Sequence, residues 1–200
     1  DKALMDQVGQ IAARLKKGFK PKEVESQLVR PLIQSMPATI TVSPNGQLGP
    51  KLTKYIPWTP FPKQAHFLML DCEEAFFGGA GFGGKSVSLL MAALQFVDCP
   101  NYHALIIRKT FKELNKPGAL LDLAHQWLHS TDAKWKAEKS RYEFPSGATL
   151  TFGYMEAEKD KYQYTGPSWS FVGYDEVTQF SQTQYEFLFG WLRQLLGSGI

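Results

Sequence analysis

Cysteine is scarce in this chain. Only Cys72 and Cys99 occur among its 200 residues, too few for a disulfide framework and without the spacing of a metal finger, so a reducing compartment is the default. Both read as small buried hydrophobes. Long hydrophobic runs are missing too: nothing approaches the ~20 apolar residues of a membrane span, and no signal peptide opens the chain. One-sided charge is also lacking. Lysine and arginine total 22 against 19 acids, a formal net charge of +3, which permits a polyanionic partner but falls short of the clustered excess of a dedicated nucleic-acid-binding domain. Internal repeats are not seen. What is present is an apolar content of 44% and an aromatic content of 14%, enough for a real core and incompatible with a disordered tail. The first residue is Asp rather than Met, so the numbering is expected to start inside a longer polypeptide.

Along the chain, "KALMDQVGQIAARLKK" at residues 2–17 sets Leu4, Val8, Ile11, Ala12 and Leu15 at helical spacing, with Gly18 as a stop. A second short helix is expected from Pro21 until Pro31 interrupts it. "PATITVSPNGQLGPKLTKYIPWTPFP" then carries six prolines and reads as a linker or extended arm. This divides the chain into residues 1–57, helical segment and arm, and residues 58–200, the main domain. In that domain "EEAFFGG" reads as a short buried strand, "KSVSLLMAALQFV" as a covered helix and "HALIIRKT" as a second strand. "RYEFPSGATLTFGYM" reads as a β-hairpin, and "WSFVGYDE" as a strand ending in two acids. The order predicts an α/β fold: a mostly parallel sheet with helices on both faces, ornamented by the hairpin.

The stretch "GGAGFGGKS" holds five glycines in nine positions. Gly79, Ala80, Gly81, Phe82, Gly83, Gly84, Lys85 and Ser86 fit GxxxxGK[ST], between a predicted strand and a predicted helix. Glycines let the backbone turn tightly and aim successive N–H groups into one hollow, and the helix start adds its positive dipole end. In such a cradle Lys85 reaches the β- and γ-phosphates and the Ser86 hydroxyl coordinates Mg²⁺. A glycine-rich turn without ligand explains the glycines but not the lysine and serine. Asp175 closes an apolar strand about 90 residues beyond Lys85, placed to hold the same Mg²⁺. Glu176, next in line, suits a residue that orients and deprotonates an attacking water. Plain loop charge is the other reading of this Asp-Glu pair. Gln64 can pair its amide with an adenine edge, or be a solvated polar residue at a helix start. Arg108 ends its strand on the edge where open α/β sheets bind ligands; phosphate, DNA, a neighbouring subunit or a structural ion pair all remain open for it.

"AFFGGAGFGGKSVSLLMAALQFV", "ALIIRKTFKEL", "FPSGATLTFGYM" and "YQYTGPSWSFVGYDEVTQFSQTQYEFLFGWLRQ" together resemble the ATPase domain of large terminase subunits from tailed bacteriophages, in order, from about Trp58 to Gln194. The Walker motifs are shared by many ATPases; the Arg-Lys-Thr strand end, the hairpin and the Asp-Glu-x-Thr-Gln-Phe run are far more specific. The resemblance implies a P-loop NTPase three-layer fold and a Mg²⁺-dependent, ATP-hydrolysing motor that moves double-stranded DNA through the portal into a prohead. It further implies a small terminase subunit as partner, a homo-oligomeric ring, no membrane, and the cytoplasm of an infected bacterium as workplace. By position Gly79–Ser86 are the first Walker motif, Asp175 and Glu176 the metal carboxylate and catalytic base of the second, and Gln64 the adenine contact; Arg108 matches a family arginine of open role.

Three departures stand out. Phe82 puts a bulky ring into the loop, Trp191 stands at the first of two arginine positions and leaves Arg193, and the sequence stops at Ile200, before the expected coupling motif and the nuclease acids. The ATPase domain is thus expected to be incomplete, with nuclease chemistry confined to a missing C-terminal domain. Lys109, Lys112, Lys134, Lys136 and Lys139 read as a solvated face or as sequence-independent contacts to DNA phosphates. A helicase-like nucleic-acid ATPase and a degenerate nucleotide-binding scaffold are the alternatives.

Overall fold

The computed structural model describes residues 39–43, 47–79 and 84–193. The helices expected at 2–17 and from Pro21 lie outside the described residues.

At the start of the described chain, β1 (Ile40–Val42) and β2 (Leu48–Pro50) pair antiparallel, Thr41 opposite Gly49. The stretch read as a bare arm is therefore partly a hairpin, and it is fastened to the rest. Tyr55 and Ile56 are buried; the Tyr55 hydroxyl donates to Asp132 Oδ1 at 2.7 Å and its ring meets Phe144 edge-on at 4.8 Å. Proline spacing shows where helices cannot form but not what the intervening apolar residues pack against.

The main sheet runs in the order β4 (Lys134–Lys136), β5 (Arg141–Glu143), β6 (Thr149–Tyr154), β3 (His103–Arg108), β7 (Phe171–Tyr174). β3 is parallel to both β6 and β7, whereas β4–β5 and β5–β6 are antiparallel. The sheet is mixed rather than mostly parallel. The hairpin is real, closed by Phe144 N donating to Ala148 O at 3.0 Å. It is not an ornament, because β6 carries Leu150 and Phe152 into the core beside β3. The three-residue β4 was not foreseen; its run of Lys-Trp-Lys is too short for a periodicity to register.

β3 is apolar throughout because both its faces are covered, and alternate residues divide between the two layers. Ala104 and Ile106 face a cluster with α2 (Lys85–Leu94) and α4 (Leu120–Leu128); Leu105 and Ile107 face Met155, Tyr164, Trp169 and Leu188. Burying each large side chain contributes roughly 1.5–3 kcal/mol. α1 (Pro62–Leu68) packs on α2, α3 (Phe111–Leu114) follows β3, and α5 (Gln182–Phe187) follows the Asp-Glu pair. Helices on both faces agree with a three-layer arrangement.

Further expectations fail. "EEAFFGG" forms no strand: residues 71–79 carry no ladder, and Phe76 is 75% exposed while Phe77 packs on Phe67 at 4.9 Å. Acids before it and glycines after it leave a run too short to hold a register. Cys72 is exposed rather than buried, whereas Cys99 is half-buried and packs against the core. Among the described residues no helix is long and apolar enough to cross a membrane.

Candidate functional site

Parallel strands end on one edge of a sheet, and here that edge gathers chemistry. Arg108 is in register with Tyr154, and Ile107 with Tyr174, so Arg108 and the Asp175 that follows β7 emerge side by side. Asp175 N donates to Ile107 O at 2.9 Å, which prolongs the ladder to the carboxylate itself.

Asp175 is 4% exposed. Its Oδ1 accepts from Ser86 Oγ at 3.1 Å, across 89 residues of chain. Its Oδ2 accepts from Arg108 Nη1. A buried carboxylate requires such partners, since an unpaired one is expelled by its desolvation cost. Of the readings left open for Arg108, the structure displays the ion pair. It also rules out loop charge for Asp175, which is an inward-facing group.

The helix start is fixed by a glycine and a glutamine. Gly84 is the N-cap of α2 at φ +71, ψ +21, left-handed backbone that favours glycine. An added Cβ there would lie 2.7 Å from Gln64 Nε2. Gln64, 5% exposed, donates from Nε2 to Gly84 O at 3.2 Å and accepts at Oε1 from Phe61 N at 2.9 Å. It is no solvated residue; its amide is committed to holding α1 against the glycine stretch. Ser88, unnoticed in the sequence, donates to the same Gly84 O at 2.9 Å. Lys85 Nζ donates to Gly79 O at 3.2 Å, bridging the two ends of the loop. Ala80, Gly81, Phe82 and Gly83 lie outside the described residues.

Glu176 is exposed and sits at φ +57, ψ +54, rare for a non-glycine residue. That backbone turns the chain sharply out of β7 into the 3-10 turn Val177–Gln179, with Gln179 N donating to Glu176 O at 3.0 Å. Two adjacent acids thereby diverge, Asp175 inward and Glu176 outward. A cleft of about 1210 Å³ opens there, lined among others by Gly79, Lys85, Asp175, Glu176 and Tyr185. Chemically the edge offers a hydroxyl and a carboxylate oxygen side by side, hard donors suited to Mg²⁺. Among the described residues no group of three or more His, Cys, Asp or Glu could hold a metal unaided, so such a cation needs further oxygens from its ligand.

Sequence reasoning missed Gln184. Buried on α5, it donates from Nε2 to Met155 O and Ala157 O, and accepts at Oε1 from Lys109 Nζ at 3.0 Å. Lys109 also lies over the Phe180 ring at 5.6 Å, so this lysine belongs to the interior edge. Lys112, Lys134 and Lys139 are exposed, and Lys136 is half-buried. A lone glutamine in a polar run carries no signal that could have revealed that knot.

The family model described as terminase large subunit, T4-like-virus type, N-terminal, matches residues 76–188. No curated protein and no solved structure gives a match.

Proposed function

The chain belongs to the T4-like-virus-type family of terminase large subunits, which serve phage DNA packaging, and on that premise we propose that its site hydrolyses ATP to drive double-stranded DNA into a prohead. The observation that carries this reading is the hydrogen bond from Ser86 to the buried Asp175. It sets the glycine-rich stretch against the acid pair, which is what a phosphate-and-metal site needs and what a simple turn does not.

In this reading the N–H groups of Gly79–Ser86, Ala80, Gly81, Phe82, Gly83 and Gly84 included, wrap the phosphate tail, and the Lys85 ammonium compensates its charge. Ser86 and Asp175 hold Mg²⁺, and their paired oxygens fit a hard cation. The bound ion supplies charge neutralisation at the phosphate oxygens. Glu176, on the cleft side of the edge, orients a water and takes its proton at the carboxylate as the water attacks the γ-phosphorus, while the bond from that phosphorus to the β–γ bridging oxygen breaks and ADP leaves with the electron pair. Gln64 keeps the entrance of the loop in place through Gly84 O and Phe61 N, and its second amide hydrogen is the group left to contact the adenine. The partners that go with packaging are DNA held through its phosphates, the portal of the prohead, the small subunit and further copies in a ring, in the cytoplasm of the infected host.

Glu176→Gln in the full-length protein tests the assignment. It should retain nucleotide binding while ATP turnover and packaging fall by about 10²–10⁴-fold. Packaging at the normal rate would refute the role of Glu176. DNA-stimulated ATP hydrolysis that does not respond to portal-bearing proheads would instead point to an ATPase without a packaging task.

A further inference from the structure

We propose that Arg108 is a resident counter-ion for Asp175 that makes divalent-metal binding conditional on nucleotide. The proposal rests on the metal-and-nucleotide reading of this edge. Its starting point is how the Asp175 carboxylate is shared: Ser86 Oγ on Oδ1 and Arg108 Nη1 on Oδ2. A carboxylate has about four acceptor sites, so two hydrogen bonds leave room for a cation or its waters. Arg108 does not block the site sterically; it cancels its charge.

The surrounding groups leave that cancellation in place. The Asp175 contact is the one salt bridge of Arg108 among the described residues, and Arg108 Nε is buried there without a partner. The neighbouring cation, Lys109, is held by Gln184 and Phe180. At the edge the Asp175 carboxylate is thus matched one to one by the Arg108 guanidinium, a neutral pair in a region whose cleft is also lined by Asp71, Glu73, Glu74, Glu176, Lys85 and Arg193. A divalent ion approaching Asp175 without nucleotide meets a guanidinium fixed on the same carboxylate. The phosphates of a nucleotide reverse that balance and bring the extra oxygen ligands a hard cation needs. Metal and nucleotide then strengthen each other's binding by the same factor. A site built in this way does not load metal ahead of its substrate.

Mn²⁺ as the probe, followed by electron paramagnetic resonance, tests this in the full-length protein with and without ADP. Arg108→Gln keeps a donor for Asp175 but removes the charge. Nucleotide-free Mn²⁺ affinity should rise by about five-fold or more, a low floor for deleting a nearby unit charge, and the tightening of Mn²⁺ by ADP should shrink correspondingly. Arg108→Lys, which keeps the charge on a shorter reach, should lie between wild type and Arg108→Gln. A smaller rise in Arg108→Gln overturns the proposal. Should that variant fail to fold, Arg108→Lys decides: nucleotide-free affinity above wild type supports the proposal, and affinity equal to or below it overturns it. If the wild type binds no Mn²⁺ even with ADP, the metal-and-nucleotide reading itself fails. If ADP and Mn²⁺ bind together normally while Arg108→Gln leaves the nucleotide-free affinity unchanged, only the counter-ion falls.

Discussion

Replacing Gly84 by alanine strikes two features at once, and the structure allows each to be sized. At φ +71 any residue with a Cβ carries the left-handed penalty of roughly 1–2 kcal/mol. The new methyl would also lie 2.7 Å from Gln64 Nε2, closer than real Cβ contacts allow. Gln64 must then swing away and lose its hydrogen bond to Gly84 O, worth about 0.5–1.5 kcal/mol. Together these give about 1.5–3.5 kcal/mol, or roughly 3–14 °C in Tm for a chain of this size. Urea denaturation of Gly84→Ala, Gln64→Ala and the double variant separates the terms. With Gln64 truncated the methyl has room, so Gly84→Ala should cost only its backbone term, about 1–2 kcal/mol, leaving a coupling energy of at least ~0.5 kcal/mol. Equal costs in both backgrounds would show that Gln64 does not clamp the helix start. A cost below ~0.5 kcal/mol in the wild-type background would show that the left-handed cap is not enforced at all.

Gly153→Ala should destabilise by about 2–4 kcal/mol in the same assay, because its Cβ would lie 2.2 Å from Tyr164 Oη and overpacking adds to lost hydrogen bonds. That hydroxyl accepts from Tyr154 N at 2.7 Å and donates to Tyr154 O at 2.8 Å; an unchanged midpoint would show that β6 yields freely. His103 and His125 are held below their usual 6.5, both chiefly by burial and His103 also by Arg141, while Asp122 opposes the shift at His125. The unfolded chain therefore takes up their protons first, and stability should be full above about pH 6.5 and decline as pH falls through the lower folded-state values. Urea midpoints between pH 7.5 and 5 check this: His125→Asn should flatten the decline, and a flat wild-type profile would contradict it.

Much of the site was legible from residue types and order. GxxxxGK[ST] between a strand-like and a helix-like stretch is a local pattern, and the α2 helix appears where its covered apolar run requires. β3 and β7 were legible for the same reason, since a short run without polar relief needs cover on both faces. The failures have a common cause. "AFFGG" has apolar residues but no ladder, because a strand is a pairing and three side chains do not specify one. β6 looked like half of a local hairpin because its turn is local, while its parallel partner β3 lies some 46 residues away. Gln64 looked like surface because burial of an amide depends on the carbonyl and N–H it meets, here Gly84 O and Phe61 N.

By itself the sequence determined what depends on neighbours along the chain: a helix that opens at a glycine, apolar strands, a turn at Phe144–Ala148, and an acid pair at a strand end. Tertiary structure alone decided which oxygens meet. Strand order brought Arg108 beside Asp175, the left-handed backbone at Glu176 sent two consecutive acids in different directions, and packing of α2 on the sheet delivered Ser86 to a carboxylate 89 residues distant. Short-range sterics can be read from residue types, but contacts between distant residues are set by how whole layers bury their faces.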